Sequence, residues 1–254
     1  MRRVDVYIRA GYRTPVGVLA SVHRIKKSFG ARPLFEGLTF YIDEGERVGL
    51  IGPNGAGKST LIKMLACFWP PTEGDAKIDG ISVLNPNKVK PLIGWAPQED
   101  SFYGKLTVEE TLNYFGSLYG MGSSKIKARI DELLSLMGLE NKRHALSESL
   151  SGGMKKRLNI GVALIHSPRV LFLDEPTVGV DPISRNGLWK VIEKIKEQGV
   201  TIIYTTHYMA EVERLCDRVA IVQSGKLITI DTPANLKKKY GKTLEEAFVN
   251  LLSR

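Results

Sequence analysis

A glycine-rich segment that begins at Gly52 carries the clearest chemical signal in the sequence. It fits the pattern G-x-x-x-x-G-K-[ST], in which glycines let main-chain N–H groups converge on a polyphosphate. Lys58 supplies a mobile cation for the β- and γ-phosphates, and the Ser59 hydroxyl is a natural ligand for Mg²⁺. The segment therefore predicts a site for a nucleoside triphosphate. The residues predicted to form it are Gly52, Pro53, Asn54, Gly55, Ala56, Gly57, Lys58, Ser59 and Thr60.

The flanking segments supply the elements that such a loop needs. Residues 47–51 form a short apolar run, which predicts a buried strand, and residues 61–66 predict the first turns of a helix. The free N–H groups at the start of that helix would face the anion. A glycine-rich turn without a ligand is the alternative, and the presence of Lys58 and Ser59 in register after a strand argues against it.

Acidic residues and a histidine follow two further apolar runs. Asp174 and Glu175 end the run that starts at residue 170, as expected where a buried parallel strand meets the ligand-binding edge of its sheet. Asp174 is predicted to hold Mg²⁺, directly or through water, and Glu175 to accept a hydrogen bond from the attacking water. His207 ends the strand predicted at residues 200–206 and so reaches the same edge, near a γ-phosphate. Paired acids can also simply terminate a strand, but the preceding phosphate loop favours the catalytic interpretation.

Three further candidates have weaker support. Gln98 ends a predicted strand, where it could ligate Mg²⁺ or orient water. Phe29 could stack on a purine, although an isolated aromatic residue is more often part of a core. Ser151, Gly152 and Gly153 open a helix and would offer bare N–H groups to an anion, as a generic helix cap would also do.

The order of elements predicts an α/β fold. Closely spaced strands at residues 22–29 and 38–42 imply an N-terminal antiparallel β-layer, and the later buried strands imply a mostly parallel sheet of the P-loop NTPase kind. Residues 1–20 are predicted to be an N-terminal extension of unclear role, and residues 21–254 the main domain.

A helical subdomain is predicted at about residues 99–167, inserted in the α/β core. A capping box at Thr107 opens one helix, which runs to Tyr119. Ser123 or Ser124 is predicted to cap the next helix.

The composition excludes several classes of protein. No apolar stretch is long enough to span a membrane, so any membrane role is expected to be peripheral or through a partner. Cys67 and Cys216 form neither a disulfide framework nor a metal site, and the start of the chain has no secretory signal, which fits a cytoplasmic protein. A net charge of +9 is compatible with binding to nucleic acid or a position near anionic lipid. Phosphate-binding residues and solvated helix faces are the favoured interpretation, because the basic runs are short and lack stacking aromatics. No nucleic-acid partner is expected.

The order of these motifs over residues 21–252 resembles the nucleotide-binding subunit of an ABC transporter. Residues 52–60 are similar to the Walker A motif of that family, Gln98 to its Q-loop, and residues 150–154 to its signature, with Met154 where Gln is commoner. Residues 170–175 match Walker B with the catalytic glutamate, residues 179–181 the D-loop with Asp181, His207 the switch histidine, and Phe29 the adenine-stacking aromatic.

The resemblance implies ATP and Mg²⁺ as cofactors and a second cassette, identical or a close paralogue, as partner. Two such domains close head to tail, so that Ser151, Gly152 and Gly153 of one chain cap the γ-phosphate held by the other. Glu175, His207 and Lys58 are then the catalytic residues. The metal ligands implied are Ser59, Gln98 and Asp174.

Met154 and residues 176–182 and 243–248 are similar to exporter ATPases for drugs, polysaccharides or sodium. In these systems the permease is a separate chain, which implies a position on the cytoplasmic face of the cell membrane. The permease would dock near residues 99–106, where Phe102 and Tyr103 are candidate anchors or ordinary core residues. The alternative is a non-transport ABC ATPase, such as an iron–sulfur assembly or nucleic-acid-associated ATPase.

Overall fold

The structure, a computed structural model, describes residues 17–30 and 32–253 as strands in two sheets surrounded by helices. The strands are β1 Val18–Phe29, β2 Arg32–Asp43, β3 Arg47–Ile51, β4 Glu73–Ile78, β5 Ile81–Ser82, β6 Ile93–Ala96, β7 Val170–Asp174, β8 Thr201–Thr205, β9 Arg218–Gln223 and β10 Lys226–Asp231. The smaller sheet is antiparallel, with the order β2-β1-β4-β5. The larger sheet has the order β10-β9-β3-β8-β7-β6, and its described strands are parallel except for β10.

The helices occupy segments between these strands, including a block before β7, and two of them follow β10. They are α1 Lys58–Leu65, α2 Pro86–Val89, α3 Val108–Leu118, α4 Ser123–Met137, α5 Gly152–Leu164, α6 Pro182–Glu197, α7 Met209–Leu215, α8 Pro233–Tyr240 and α9 Leu244–Leu252. The structure and its neighbours confirm the predicted fold class, a P-loop α/β core with an antiparallel layer and a helical block.

Two helix starts in this block test the capping predictions. The capping box at Thr107 is confirmed, because its hydroxyl accepts from the Glu110 N–H and the Glu110 carboxylate accepts from the Thr107 N–H. The prediction for α4 was wrong. Its N-cap is Gly122, which is extended and makes no side-chain bond, and Ser123 is already helical. The Gly122 carbonyl accepts the first helical bond, from Ile126.

The register of the parallel strands sets the position of the site. Thr205 is paired with Leu50 on one side and with Asp174 on the other. The carboxyl ends of β3, β8 and β7 therefore meet at one edge of the sheet. The phosphate loop follows β3 directly at that edge.

Both faces of this sheet are buried, because its strands alternate between two apolar clusters. Val170 and Phe172 pack towards the antiparallel layer and α1, whereas Leu171 and Leu173 pack towards the helical block. The functional edge is therefore held by a core on each side.

The first described strand begins before the predicted boundary at residue 20. Val18 pairs with Asp43 and Ala20 with Ile42, so these residues are part of the antiparallel layer. The extension predicted at residues 1–20 otherwise lies outside the described residues up to residue 16.

Candidate active site

The phosphate loop lies between β3 and α1, and its main-chain carbonyls contact the side chain of Lys58. Lys58 Nζ donates hydrogen bonds to the main-chain carbonyls of Gly52 and Pro53, at 2.8 and 3.1 Å. Burial lowers the pKa of the Lys58 ammonium, and the carboxylates of Glu175 and Asp174 oppose that shift. A cation held by carbonyls beside two carboxylates is well placed to turn towards phosphate oxygens.

Two glycines of the loop are required by close approaches. A Cβ on Gly52 would lie 2.1 Å from the Val222 carbonyl oxygen, and one on Gly57 would lie 2.5 Å from Cζ of Phe35. Gly57 also has φ of +98°, a conformation that favours glycine. The glycines at these positions therefore serve the packing of the loop as well as access to phosphate.

Ser59 and Asp174 are brought together from the loop and from β7. Ser59 Oγ donates to Asp174 Oδ1 at 3.1 Å, and Thr205 Oγ1 donates to the same oxygen at 2.6 Å. Hydroxyl and carboxylate oxygens are the ligands that Mg²⁺ prefers. Within residues 17–30 and 32–253, no group of three His, Cys, Asp or Glu residues could hold a metal ion. A cation here would need phosphate and water oxygens as well, as is usual for Mg²⁺ at a nucleotide site.

Glu175 and His207 lie at the same edge. Glu175 Oε2 is 3.7 Å from His207 Nδ1, and the Glu175 N–H donates to both the carbonyl and the hydroxyl oxygen of Thr205, at 3.1 and 2.9 Å. Glu175 has φ of +47°, which is uncommon outside glycine and concentrates at functional sites. This turn directs the carboxylate away from the strand and towards the loop.

A cavity of about 400 Å³ joins the loop to these two residues. It is lined by Ile51, Gly52, Pro53, Asn54, Glu175, His207, Met209 and Phe248. Met209 and Phe248 were not predicted. The sequence indicates an amphipathic C-terminal helix, but no local pattern indicates that this helix contributes a ring to the cavity.

The remaining loop residues, Gly55, Ala56 and Thr60, are not among those that line this cavity. Gly55 is exposed with φ of +79°, Ala56 is buried, and Thr60 lies in the first turn of α1.

Phe29 lies at the end of β1 with half of its surface exposed, so the core interpretation of this residue was wrong. Its ring packs edge to face on Trp69, with 5.4 Å between centroids, and Lys27 Nζ lies 5.2 Å from the ring centroid. An exposed ring braced by a neighbour is suited to stack on a base.

The signature residues and Asp181 begin helices away from this cavity. Ser151 caps α5 by accepting from the Met154 N–H at 3.4 Å, and Ser151 and Gly152 are exposed. Gly153 is buried, where a Cβ would lie 2.5 Å from Cβ of Ser184. Asp181 caps α6 by accepting from the N–H groups of Ile183 and Ser184, and hydrogen bonds from Ser184 lower the pKa of Asp181.

Gln98 lies two residues beyond β6, and its side chain is exposed. Its carbonyl accepts a hydrogen bond from Lys156 Nζ. Asn159, which sequence reasoning missed, donates to the carbonyls of Pro97 and Glu99 at 3.0 and 3.1 Å. The hydrogen bonds recorded within the described ranges do not join Gln98 to Ser59 or Asp174, so its role as a metal ligand stays a prediction.

The fold and the loop define a P-loop nucleoside triphosphatase. A family model described as ABC transporter matches residues 35–178, and the chain belongs to that family as an ATP-binding subunit with ATPase activity.

Three relatives illustrate the similarity. The chain is 42% identical to the linearmycin resistance ATP-binding protein LnrL of Bacillus subtilis (strain 168) over 224 residues, which are 88% of this chain and 72% of the relative. It is 37% identical to the probable multidrug ABC transporter ATP-binding protein YbhF of Escherichia coli (strain K12), covering 94% of this chain but 42% of the relative. It is 41% identical to the Nod factor export ATP-binding protein I of Rhizobium meliloti (strain 1021), covering 85% of this chain and 65% of the relative.

A solved structure described as the ATP binding subunit of an ABC transporter superposes with a TM-score of 0.83 at 31% identity. The match covers 92% of this chain and 99% of that structure. In the part of the chain that the structure describes, no helix is both long enough and apolar enough to cross a membrane.

Proposed function

We propose that the chain hydrolyses ATP with Mg²⁺ at this site, within a head-to-tail dimer, and thereby drives export through a separate membrane-spanning subunit. The observation that carries the proposal is the convergence of Ser59, Asp174, Glu175 and His207 on the phosphate loop. In the structure, β3, β7 and β8 bring these residues to one edge.

Each residue has a defined task in hydrolysis. Lys58 exchanges the carbonyls of Gly52 and Pro53 for phosphate oxygens, and Glu175 accepts a hydrogen bond from the attacking water. His207, which is 46% exposed, contacts the γ-phosphate. Ser59 and Asp174, whose oxygen atoms lie 3.1 Å apart, would hold Mg²⁺, and Gln98 is proposed as a further ligand. The bound ion would add positive charge beside the phosphate oxygens.

The position of the signature supports a dimer. Ser151 and Gly152 are exposed at the start of α5, and none of the described residues that line the cavity comes from residues 151–153. The N–H groups at this helix start would complete the site of a second chain by facing its γ-phosphate. Hydrolysis would then depend on closure of the dimer.

An aromatic groove beside the loop at residues 97–101 supports docking of a permease. The groove has a volume of about 350 Å³ and is lined by residues that include Phe68, Trp95, Phe115 and Tyr119. Exposed rings adjoin it, because Phe68 is 58% exposed and Tyr119 43% exposed. A helix from a membrane subunit could bury these rings. Of the two predicted anchors, Tyr103 is exposed and Phe102 packs partly against the core.

Export is favoured over import by the names of the relatives, which refer to drug resistance and to Nod factor export. Through such a permease the chain would lie on the cytoplasmic face of the membrane.

The test is to isolate the full chain from mildly solubilised membranes and to identify the proteins that accompany it, with ATPase activity measured on the same preparation. We expect a protein with several membrane spans and Mg²⁺-dependent hydrolysis. Reproducible recovery with an iron–sulfur assembly complex or with nucleic acid, and without a membrane protein, would refute the transport role.

A further inference from the structure

Glu211 is a fully buried acidic residue that none of the roles above uses. It lies on α7, and its relative exposure is 0%. Tyr204 OH and Thr206 Oγ1 donate to Glu211 Oε2, at 2.5 and 2.7 Å, and Trp189 Nε1 donates to Oε1 at 3.3 Å. Every one of these partners is a donor, so the carboxylate serves as an acceptor that joins three elements of the fold.

This hydrogen-bond network includes the residues before and after His207 in the sequence. Thr206, which is 1% exposed, donates to Glu211 and at the same time accepts a hydrogen bond from the Tyr208 N–H at 3.0 Å. The residues on both sides of His207 are therefore fixed through one hydroxyl group. His207 itself is 46% exposed, and its ring contacts Tyr208 with 4.3 Å between centroids. Its position depends on the main chain that carries it more than on packing of its own ring.

A carboxylate is a costly choice for this position if only packing is needed. Burial of an acidic group is unfavourable unless its oxygens accept hydrogen bonds, and an apolar residue of similar volume often stabilises a core equally well. The carboxylate does what an apolar residue cannot, because it gives the end of β8 a single arrangement relative to α7 and α6.

We propose that Glu211 is a positioning residue for His207. It acts through Thr206 to hold the histidine at the distance from Glu175 and from the phosphate loop that hydrolysis requires. Trp189 extends the same network to α6, the helix that Asp181 caps. One carboxylate therefore fixes the positions of both α6 and the segment that carries His207. This inference rests on the proposed role of His207 in hydrolysis.

The test replaces the linking hydroxyl, because removal of Glu211 itself would leave two buried donors and the partly buried Trp189 indole unpaired and could prevent folding. Thr206→Val keeps the shape and removes both hydrogen bonds, and Thr206→Ser keeps the hydroxyl. We expect Thr206→Val to lower kcat about tenfold or more, because small displacements of a catalytic group are costly, while the Kd for ATP stays within about twofold. Thr206→Ser should restore most of the kcat.

A matched control separates positioning from stability. Thr111 is also a fully buried threonine, and its hydroxyl is hydrogen bonded to Ser147 at 3.0 Å in the helical block. Thr111→Val removes one hydrogen bond between neutral groups, whereas Thr206→Val removes two. Thr111→Val should therefore lower the Tm by about 2–4 °C, Thr206→Val should lower it further, and only Thr206→Val should lower kcat.

The decisive measurement repeats Thr206→Val in a His207→Ala background. If Thr206 acts through His207, adding Thr206→Val to His207→Ala should alter kcat by less than about twofold, because the effects of the two residues are coupled. An equal loss of kcat in both backgrounds, or wild-type kcat in the Thr206→Val single variant, would overturn the inference. Wild-type turnover in His207→Ala alone would instead overturn the proposed role of His207 in hydrolysis, on which this inference rests.

Discussion

Ser59 Oγ lies 3.1 Å from Asp174 Oδ1, although the two residues are 115 positions apart in the chain. The contact joins the first turn of α1 to the end of β7, and it forms because β3 and β7 flank β8 in one parallel sheet. A hydroxyl and a carboxylate oxygen from separate elements are thus held side by side, an arrangement suited to the proposed Mg²⁺ site.

Ser59→Ala removes one of these ligands and should raise the Mg²⁺ concentration for half-maximal ATPase activity by at least about tenfold. ATPase rates over a Mg²⁺ titration would measure the effect. Ser117→Ala is the control, because the exposed Ser117 hydroxyl donates only to the Asn113 carbonyl in α3. An unchanged Mg²⁺ requirement in Ser59→Ala would contradict the assignment.

Glu175→Gln should lower kcat by at least about a hundredfold, because it removes the acceptor for the proton of the attacking water. ATP binding should persist, and the variant should accumulate as a closed dimer in size-exclusion chromatography with ATP. Glu197→Gln, at the exposed end of α6, is the control and should behave as wild type. Undiminished turnover in Glu175→Gln would show that Glu175 does not activate the attacking water.

Phe248→Ala should lower kcat, because the ring from α9 forms one wall of the cavity that holds Glu175 and His207. We expect a loss of about threefold to tenfold, since less water is excluded around the reacting groups. Val249→Ala is the control on the same helix, because Val249 is 58% exposed. Equal kinetics for the two variants would mean that the C-terminal helix does not shape the reaction.

Gly57→Ala should destabilise the protein more than Gly80→Ala does. Both glycines have positive φ, which costs an L-residue about 1–2 kcal/mol, but only at Gly57 would the new methyl group meet a ring, that of Phe35. The space around a Cβ at Gly80 is open. Urea unfolding of both variants would measure the difference, and equal losses would show that Phe35 moves aside freely.

The two cysteines should react in a fixed order with a thiol reagent. Cys67 is half-buried, whereas Cys216 is buried and its pKa is raised by burial to about 12. In the native protein only the Cys67 thiol should react with the reagent, so that the reaction disappears in Cys67→Ala. Cys216 should react only after unfolding. Two thiols that react together in the native protein would contradict the packing of Cys216.

The same raised pKa affects stability at high pH. The folded state retains the Cys216 proton more strongly than the unfolded state, whose thiol has the ordinary value of 9.0. This contribution is complete below about pH 9 and declines as the pH rises towards 12. In Cys216→Ala the unfolding free energy should therefore fall less steeply between about pH 9 and pH 12 than in the wild type, as measured by urea unfolding.

The sequence was most informative where chemistry is local. The phosphate loop after β3, the two acids at the end of β7 and His207 after β8 were predictable from sequence. Each follows a short apolar run, and parallel strands bring their carboxyl ends together. Phe248 was not predictable as part of the cavity, because its place depends on how α9 docks 41 positions after His207. Local propensity also failed at Gly122, since glycine and serine both suit the start of a helix.

Glu211 and Asn159 were missed for another reason. Polar residues in a helix are usually solvated, and neither residue lies in a motif that would mark it as buried. Their burial, at 0% and 1% exposure, follows from tertiary packing of α7 and α5. The partners of Asn159 lie 58 to 62 positions away in the chain. Those of Glu211 lie 5, 7 and 22 positions away, and the fold of the chain from α6 through β8 to α7 brings them to its carboxylate.

Helix α5 connects the loop beside the aromatic groove to the signature residue Ser151. Asn159 and Lys156 fasten the loop at residues 97–99 to the side of this helix, and Ser151 sits at its tip. Thirteen residues make a rod of about 20 Å. Val162 and Ala163, near the other end of α5, line the aromatic groove. A partner that displaced the helix from the groove would therefore also displace Ser151 relative to a neighbouring chain.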